Sequence, residues 1–159
     1  MPKPKIVVVP NPCSIARTQT FVKHLSLDEL IENASVGDVV FWSGCSGSPG
    51  LWLTNCDNIG LLLNLRLRAN EMFRGACSSA TVLCQDQSYE LSMKSDHHDQ
   101  IILTEPIQNP DTSVVIKNDE FRSALNDSLE SLLWLLPKLL PELQAASYWD
   151  DLVNLFPKR

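Results

Sequence analysis

The chain has no C-x-x-C pair, although it carries five cysteines. That excludes a zinc knuckle or a thioredoxin-type motif, and the odd count excludes a disulfide framework that uses every thiol. Cys13, Cys45, Cys56, Cys77 and Cys84 read instead as reduced thiols of an intracellular protein. Basic residues are scarce, with 13 Lys and Arg against 19 Asp and Glu and a net charge of -6. The broad positive field that drives sequence-independent phosphate binding is therefore missing. Long apolar runs are missing too. The four residues Ile6–Val9, closed in by prolines, are too few for the apolar region of a secretory signal, and no window reaches the length of a membrane span. These absences predict a protein of the nucleus or cytoplasm, not secreted and without membrane contact.

Catalytic signatures are equally thin. Asp96-His97-His98-Asp99 is the spot richest in ligand-type side chains, but adjacent residues of an extended chain point to opposite sides. No further His, Cys or Asp cluster stands nearby at ligand spacing. The segment is expected to be a solvated hairpin loop. Gly44-Cys45-Ser46-Gly47-Ser48-Pro49-Gly50 lacks the final glycine of G-x-S-x-G and the Gly-Lys-Ser/Thr of a P-loop, and is expected to be a strand–strand connection. His24 is the remaining histidine, and nothing in the sequence places it beside Cys45. The expectation is no catalytic residue, no metal and no cofactor.

What is present is the apolar pattern of a folded domain. With 159 residues and a 44% apolar share, the chain can bury a core without disulfides or metals. The prolines at 2, 4, 10 and 12 predict an extended N-terminal tail over residues 1–13. Ser26-Leu27-Asp28-Glu29 has the form of a capping box, which predicts a short helix burying Leu27, Leu30 and Ile31. Strands are predicted at Asp38–Ser43, Leu51–Asn55 and Leu61–Leu67. A further one lies at Thr81–Cys84, followed by a turn at Gln85-Asp86-Gln87 and the alternating stretch Ser88–Lys94. Gln100–Thr104 and Ser113–Ile116 complete the set. From Glu120 the apolar residues Phe121, Leu125, Leu129, Leu132, Leu133 and Leu136 fall at helical spacing, with breaks expected at Pro137 and Pro141. A last helix would bury Trp149, Leu152, Val153 and Phe156 behind a Ser147 cap. The order predicts an α+β fold: a short N-terminal helix, a small antiparallel β-barrel over residues 14–117 and amphipathic helices over residues 118–159.

Two sets of residues suggest function. The C-terminal helix is apolar nearly all round, which one small barrel cannot cover, so Leu129, Leu132, Leu133, Leu136 and Leu140 are expected to hold a protein partner in a hetero-complex. Arg66, Arg68 and Arg74 are the basic cluster of the body, with Trp52 near them in sequence. Basic side chains beside an aromatic platform are how single-stranded nucleic acid is held, which supplies an alternative reading.

Ala80–Cys84, then Tyr89-Glu90-Leu91, Ser95-Asp96 and Ile101–Leu103, with Arg74-Gly75 and the leucines of 61–67 before them, resemble the N-terminal domain of the Dcc-type sister-chromatid-cohesion subunit of the alternative clamp loader. That resemblance implies half of an intertwined β-barrel shared with a second subunit, and a scaffold role without an active site. Leu51–Leu61 is similar to the second and third strands of OB-folds. The small OB-fold subunits of replication-protein-A-like and telomere-capping complexes use a helix after the last strand to dimerise. Both resemblances imply a non-enzymatic subunit of a nuclear DNA-maintenance complex, meeting single-stranded DNA, if at all, through that complex.

Overall fold

The computed structural model describes residues 2–84 and 87–158. Strand β1 (Lys5–Pro10) turns Ile6 into the core and leaves Lys5 and Val7 outside, the two-residue alternation of extended backbone. Helix α1 (Pro12–Phe21) follows at once, where the prolines predict extended chain to residue 13. The reason is local. Asn11 Oδ1 accepts from the N–H groups of Cys13 (3.0 Å) and Ser14 (3.3 Å), and Pro12 sits in the first turn, where a missing N–H costs nothing. Helix α2 (Leu27–Asn33) has the expected reciprocal cap: the Glu29 N–H donates to Ser26 Oγ at 3.2 Å and the Ser26 N–H donates to Glu29 Oε2 at 2.8 Å.

After β2 (Gly37–Trp42) and β3 (Leu51–Leu53), the structure departs from the sequence expectation. Residues 61–67, read as a strand from their alternating leucines, lie inside helix α3 (Asn58–Phe73). The buried set is Ile59, Leu61, Leu62, Leu65, Ala69 and Met72, a helical stripe, while Leu67 is exposed. Leucine is a strong helix former, and sixteen residues without proline favour a long helix over a seven-residue strand. Gly60 permits α3 to approach α2, because a Cβ there would meet the Ile31 carbonyl oxygen at 2.3 Å.

The second half is a four-strand meander, β4 (Ser79–Leu83), β5 (Glu90–Ser95), β6 (Gln100–Glu105) and β7 (Asn109–Lys117). Of the predicted turn before β5, residues 85 and 86 fall outside the described residues. Helix α4 (Asn118–Leu139) then runs through Pro137 rather than breaking there, and stops before Pro141, which opens a 3-10 turn (Pro141–Ala145). Helix α5 (Trp149–Leu155) closes the chain, with Leu152 and Phe156 buried and Trp149 half-buried.

The fold is α+β, with sheets of order β1-β2-β3 and β4-β5-β6-β7, antiparallel throughout. They do not close into the expected barrel. Where β3 meets β7 no ladder forms; side-chain amides join the strands instead. Gln108 Oε1 accepts from the Thr54 N–H (2.8 Å), Gln108 Nε2 donates to the Thr54 carbonyl (3.0 Å), and Asn109 Nδ2 donates to the Trp52 carbonyl (2.8 Å). Helices α3 and α4 pack on one face and form a single core with Phe41, Leu51, Leu91, Met93, Leu103 and Ile116. Each such side chain contributes roughly 1.5–3 kcal/mol by burial.

Candidate interaction site

Strand β1 borders its sheet, paired with β2 on one side only. The ladder registers Val7 with Val40 and Val9 with Asp38, and the Asn11 N–H donates to the Val36 carbonyl at 2.9 Å. Because antiparallel pairs alternate, Lys5, Val7 and Val9 direct their main-chain groups to β2, and Ile6 and Val8 direct theirs away from it. Pro10 falls on the outward-facing set, where lacking an N–H costs no ladder bond.

The free edge looks into a groove of about 270 Å³ whose far wall is α4: Ala124, Asp127, Ser128, Ser131, Leu132 and Leu135 stand opposite Pro4–Val8. Ser128 is 5% exposed, and its buried hydroxyl has no hydrogen-bond partner among the described residues. A buried hydroxyl left unpaired costs about 1–3 kcal/mol. A second depression continues the groove along α4 past Glu130 to Trp134, which is 65% exposed with Lys138 Nζ 3.5 Å above its ring.

The side of the three-stranded sheet away from α3 and α4 is also apolar. The register sets Val7, Val40 and Trp52 in one row across three strands. Val7 is 44% and Trp52 48% exposed, while the Trp52 indole N–H donates to Asp38 Oδ2 at 3.1 Å. The corresponding side of the four-stranded sheet mixes Thr81, Ser92, Lys94, Thr104 and Ser113 with Leu83, 66% exposed, and Val115, 41% exposed. Exposed aliphatic and aromatic residues thus lie on both sheets, Val7 and Trp52 on the three-stranded one and Leu83 and Val115 on the four-stranded one.

The residues singled out from the sequence fall elsewhere. Leu129, Leu132, Leu136 and Leu140 are buried in the chain's own core, and Leu133 is half-buried. The leucine-rich helix is covered mainly by α3 and β1 of its own chain. Its exposed apolar residue is Trp134, one position from Leu133. Trp52 is on a strand, whereas Arg66 and Arg68 belong to α3 and Arg74 is its C-cap. Arg66 donates to the Leu155 carbonyl (3.3 Å) and Arg68 pairs with Glu71 (2.9 Å). The four do not share a binding surface, because α3 packs on the sheet face opposite Trp52.

The remaining polar clusters serve the fold. Asp96 Oδ1 accepts from the His98 and Gln100 N–H groups and so builds the 96–99 turn, leaving both histidines exposed. Gly44 has φ +84°, and a Cβ there would meet the Pro2 carbonyl oxygen at 2.4 Å; this loop lets the N-terminal segment lie close. Cys56 is buried, and desolvation, reinforced by the Asp57 charge, pushes its thiol up to about 12. Burial and Asp57, whose Oδ1 accepts from Tyr89 Oη at 2.7 Å, likewise raise the Tyr89 phenol. Among the described residues no group of three or more His, Cys, Asp or Glu side chains could hold a metal ion, and no helix is long and apolar enough to cross a membrane.

The β1 edge was legible in principle. Pro4 and Pro10 bracket a β-branched run, and a proline inside or beside a strand signals a sheet edge. No family model, curated protein or solved structure matches this chain.

Proposed function

We propose that the chain is a protein-interaction subunit without a reaction of its own, and that it takes an extended segment of another polypeptide along the free edge of β1. The observation that carries this reading is the outward-facing main chain of Ile6 and Val8, bordering a groove whose far wall is α4. Strand addition draws affinity from main-chain hydrogen bonds and specificity from side-chain pockets beside the edge, and both parts lie together here. A nuclear DNA-maintenance complex is the setting that the sequence resemblance suggests, with clamp-loader, single-strand-binding or telomere subunits as partners.

Val8→Pro tests the reading. It deletes an N–H that β2 does not use, so the fold should survive while strand addition is lost. Affinity capture from extract should recover a stoichiometric protein with the wild type and lose it with the variant. Hydrogen exchange should show the Ile6 and Val8 amides protected by that partner. Equal capture by both chains, without protection at these amides, refutes the reading. The alternative, single-stranded nucleic acid binding, keeps exposed Trp52 as its supporting feature. A salt-dependent oligonucleotide titration lost in Trp52→Ala would favour it.

A further inference from the structure

Resting on the strand-addition reading, we infer that the segment taken up by β1 is the β1 of a second copy of this chain, paired antiparallel across a two-fold axis at Val7. The free edge is symmetric in its chemistry. Pro4-Lys5-Ile6-Val7-Val8-Val9-Pro10 places a proline three residues to either side of Val7. Ile6 and Val8, the residues whose N–H and C=O groups point outward, stand one residue to either side. A two-fold interface must present the same patch to itself, and this edge does.

The Val7 register is the one that pairs both the outward N–H and the outward C=O of Ile6 and of Val8. With Val7 opposite Val7, Ile6 faces Val8 of the other copy and Val8 faces its Ile6. Each of those pairs exchanges two N–H···O=C bonds. Pro4 then faces Pro10, and since neither has an N–H, no donor is left unmatched. Sliding the strands to place Ile6 opposite Ile6 sets Val8 against Pro4, and the Val8 carbonyls lose their donors. The Val7 register also places Lys5 opposite Val9, keeping like charges apart.

Two further features agree. The apolar row Trp52–Val40–Val7 becomes continuous from one copy to the other through the Val7 pair. Each copy has one free β1 edge and the two-fold pair uses both, so this contact closes on two chains.

The full chain carrying Cys13→Ser and Cys45→Ser, which removes the exposed thiols, is the test material. In a non-hydrogen-bonded antiparallel pair the Cα atoms are about 4.5 Å apart, within disulfide range. Val7→Cys should therefore form a covalent dimer under mild oxidation, whereas Lys5→Cys and Val9→Cys, each opposite a different residue, should not. Light scattering should give a dimer mass for the parent chain and a monomer mass for Val8→Pro. Val7→Glu, which leaves every β1–β2 bond in place and sets like charges face to face, should also be monomeric with an unchanged circular dichroism spectrum. A monomeric parent chain overturns the inference; if it still captures a protein that Val8→Pro loses, strand addition stands and the occupant is a different polypeptide. A parent dimer that persists in both Val8→Pro and Val7→Glu, or that crosslinks as readily with Lys5→Cys as with Val7→Cys, overturns the inference and the use of the β1 edge together.

Discussion

Glu105→Gln replaces one carboxylate oxygen with an amide nitrogen, at a residue fully buried beneath the β6–β7 turn. The carboxylate accepts from four backbone N–H groups: Glu90 (2.9 Å) and Ile107 (3.0 Å) on Oε1, Gln108 and Asn109 (3.2 Å) on Oε2. In the variant two of these donors face a donor, and the other two keep a neutral acceptor. Hydrogen bonds to a charged group contribute about 1.5–3 kcal/mol each, so two lost bonds come to about 3–6 kcal/mol. Pro106 and Ile107 lie exposed on the same turn, and water reaching the freed N–H groups brings the expected cost down to about 2–4 kcal/mol. That is a large part of the roughly 5–15 kcal/mol typical of a domain. Urea denaturation at neutral pH, followed by tryptophan fluorescence, should show a lower midpoint with an unchanged slope. The damage should also spread to one place. Gln108 and Asn109 belong to this turn and join β7 to β3, so the Thr54 amide should exchange faster than the Leu103 amide. A loss below about 0.5 kcal/mol, or no preferential exchange at Thr54, refutes the assignment of Glu105 as the organiser of the turn.

Gly60→Ala should destabilise the chain by about 1–3 kcal/mol despite the better helix propensity of alanine, because its Cβ would run into the Ile31 carbonyl; a thermal melt measures it. Leu136→Asp should unfold the chain, since Leu136 is fully buried, whereas Trp134→Ala should leave the circular dichroism spectrum unchanged. At pH 8 a thiol reagent should label Cys13 and Cys45 in the native chain and reach Cys56 only in denaturant, because burial keeps that thiol protonated. The raised Cys56 value sets an alkaline limit as well. Its contribution is complete below its ordinary value of 9.0 and is lost as the pH climbs towards about 12, so Cys56→Ala should flatten that part of the stability–pH curve.

Local signals suffice where the chemistry is local. Ser26 and Glu29 sit three residues apart and satisfy each other's backbone, so the capping box needed no tertiary context. The alternation of Tyr89, Leu91 and Met93 gave the buried side of its strand for the same reason. The leucines of 61–67 were ambiguous because the stretch L-L-L-N-L-R-L satisfies a two-residue period and much of a helical one. The stripe from Ile59 through Met72 decides between them, and it becomes visible only over four turns. Asn11-Pro12 carried a helix-start signal, a capping side chain followed by a first-turn proline, that the density of prolines masked.

The sequence by itself determined the class of the fold, antiparallel strands with a helical end, because side-chain period and caps act within a few residues. It did not determine which apolar surfaces meet. Leu129, Leu132, Leu136 and Leu140 looked available to a partner because the helix is apolar nearly all round, and the tertiary structure spends that surface on the chain's own sheets and on α3. It left β1 unpaired on one side, with Val7 and Trp52 exposed beside it. The flanking prolines mark β1 as an edge, but what stands opposite that edge follows from how distant segments pack. No window of sequence contains that packing, so the groove between β1 and α4 exists only once the chain has folded.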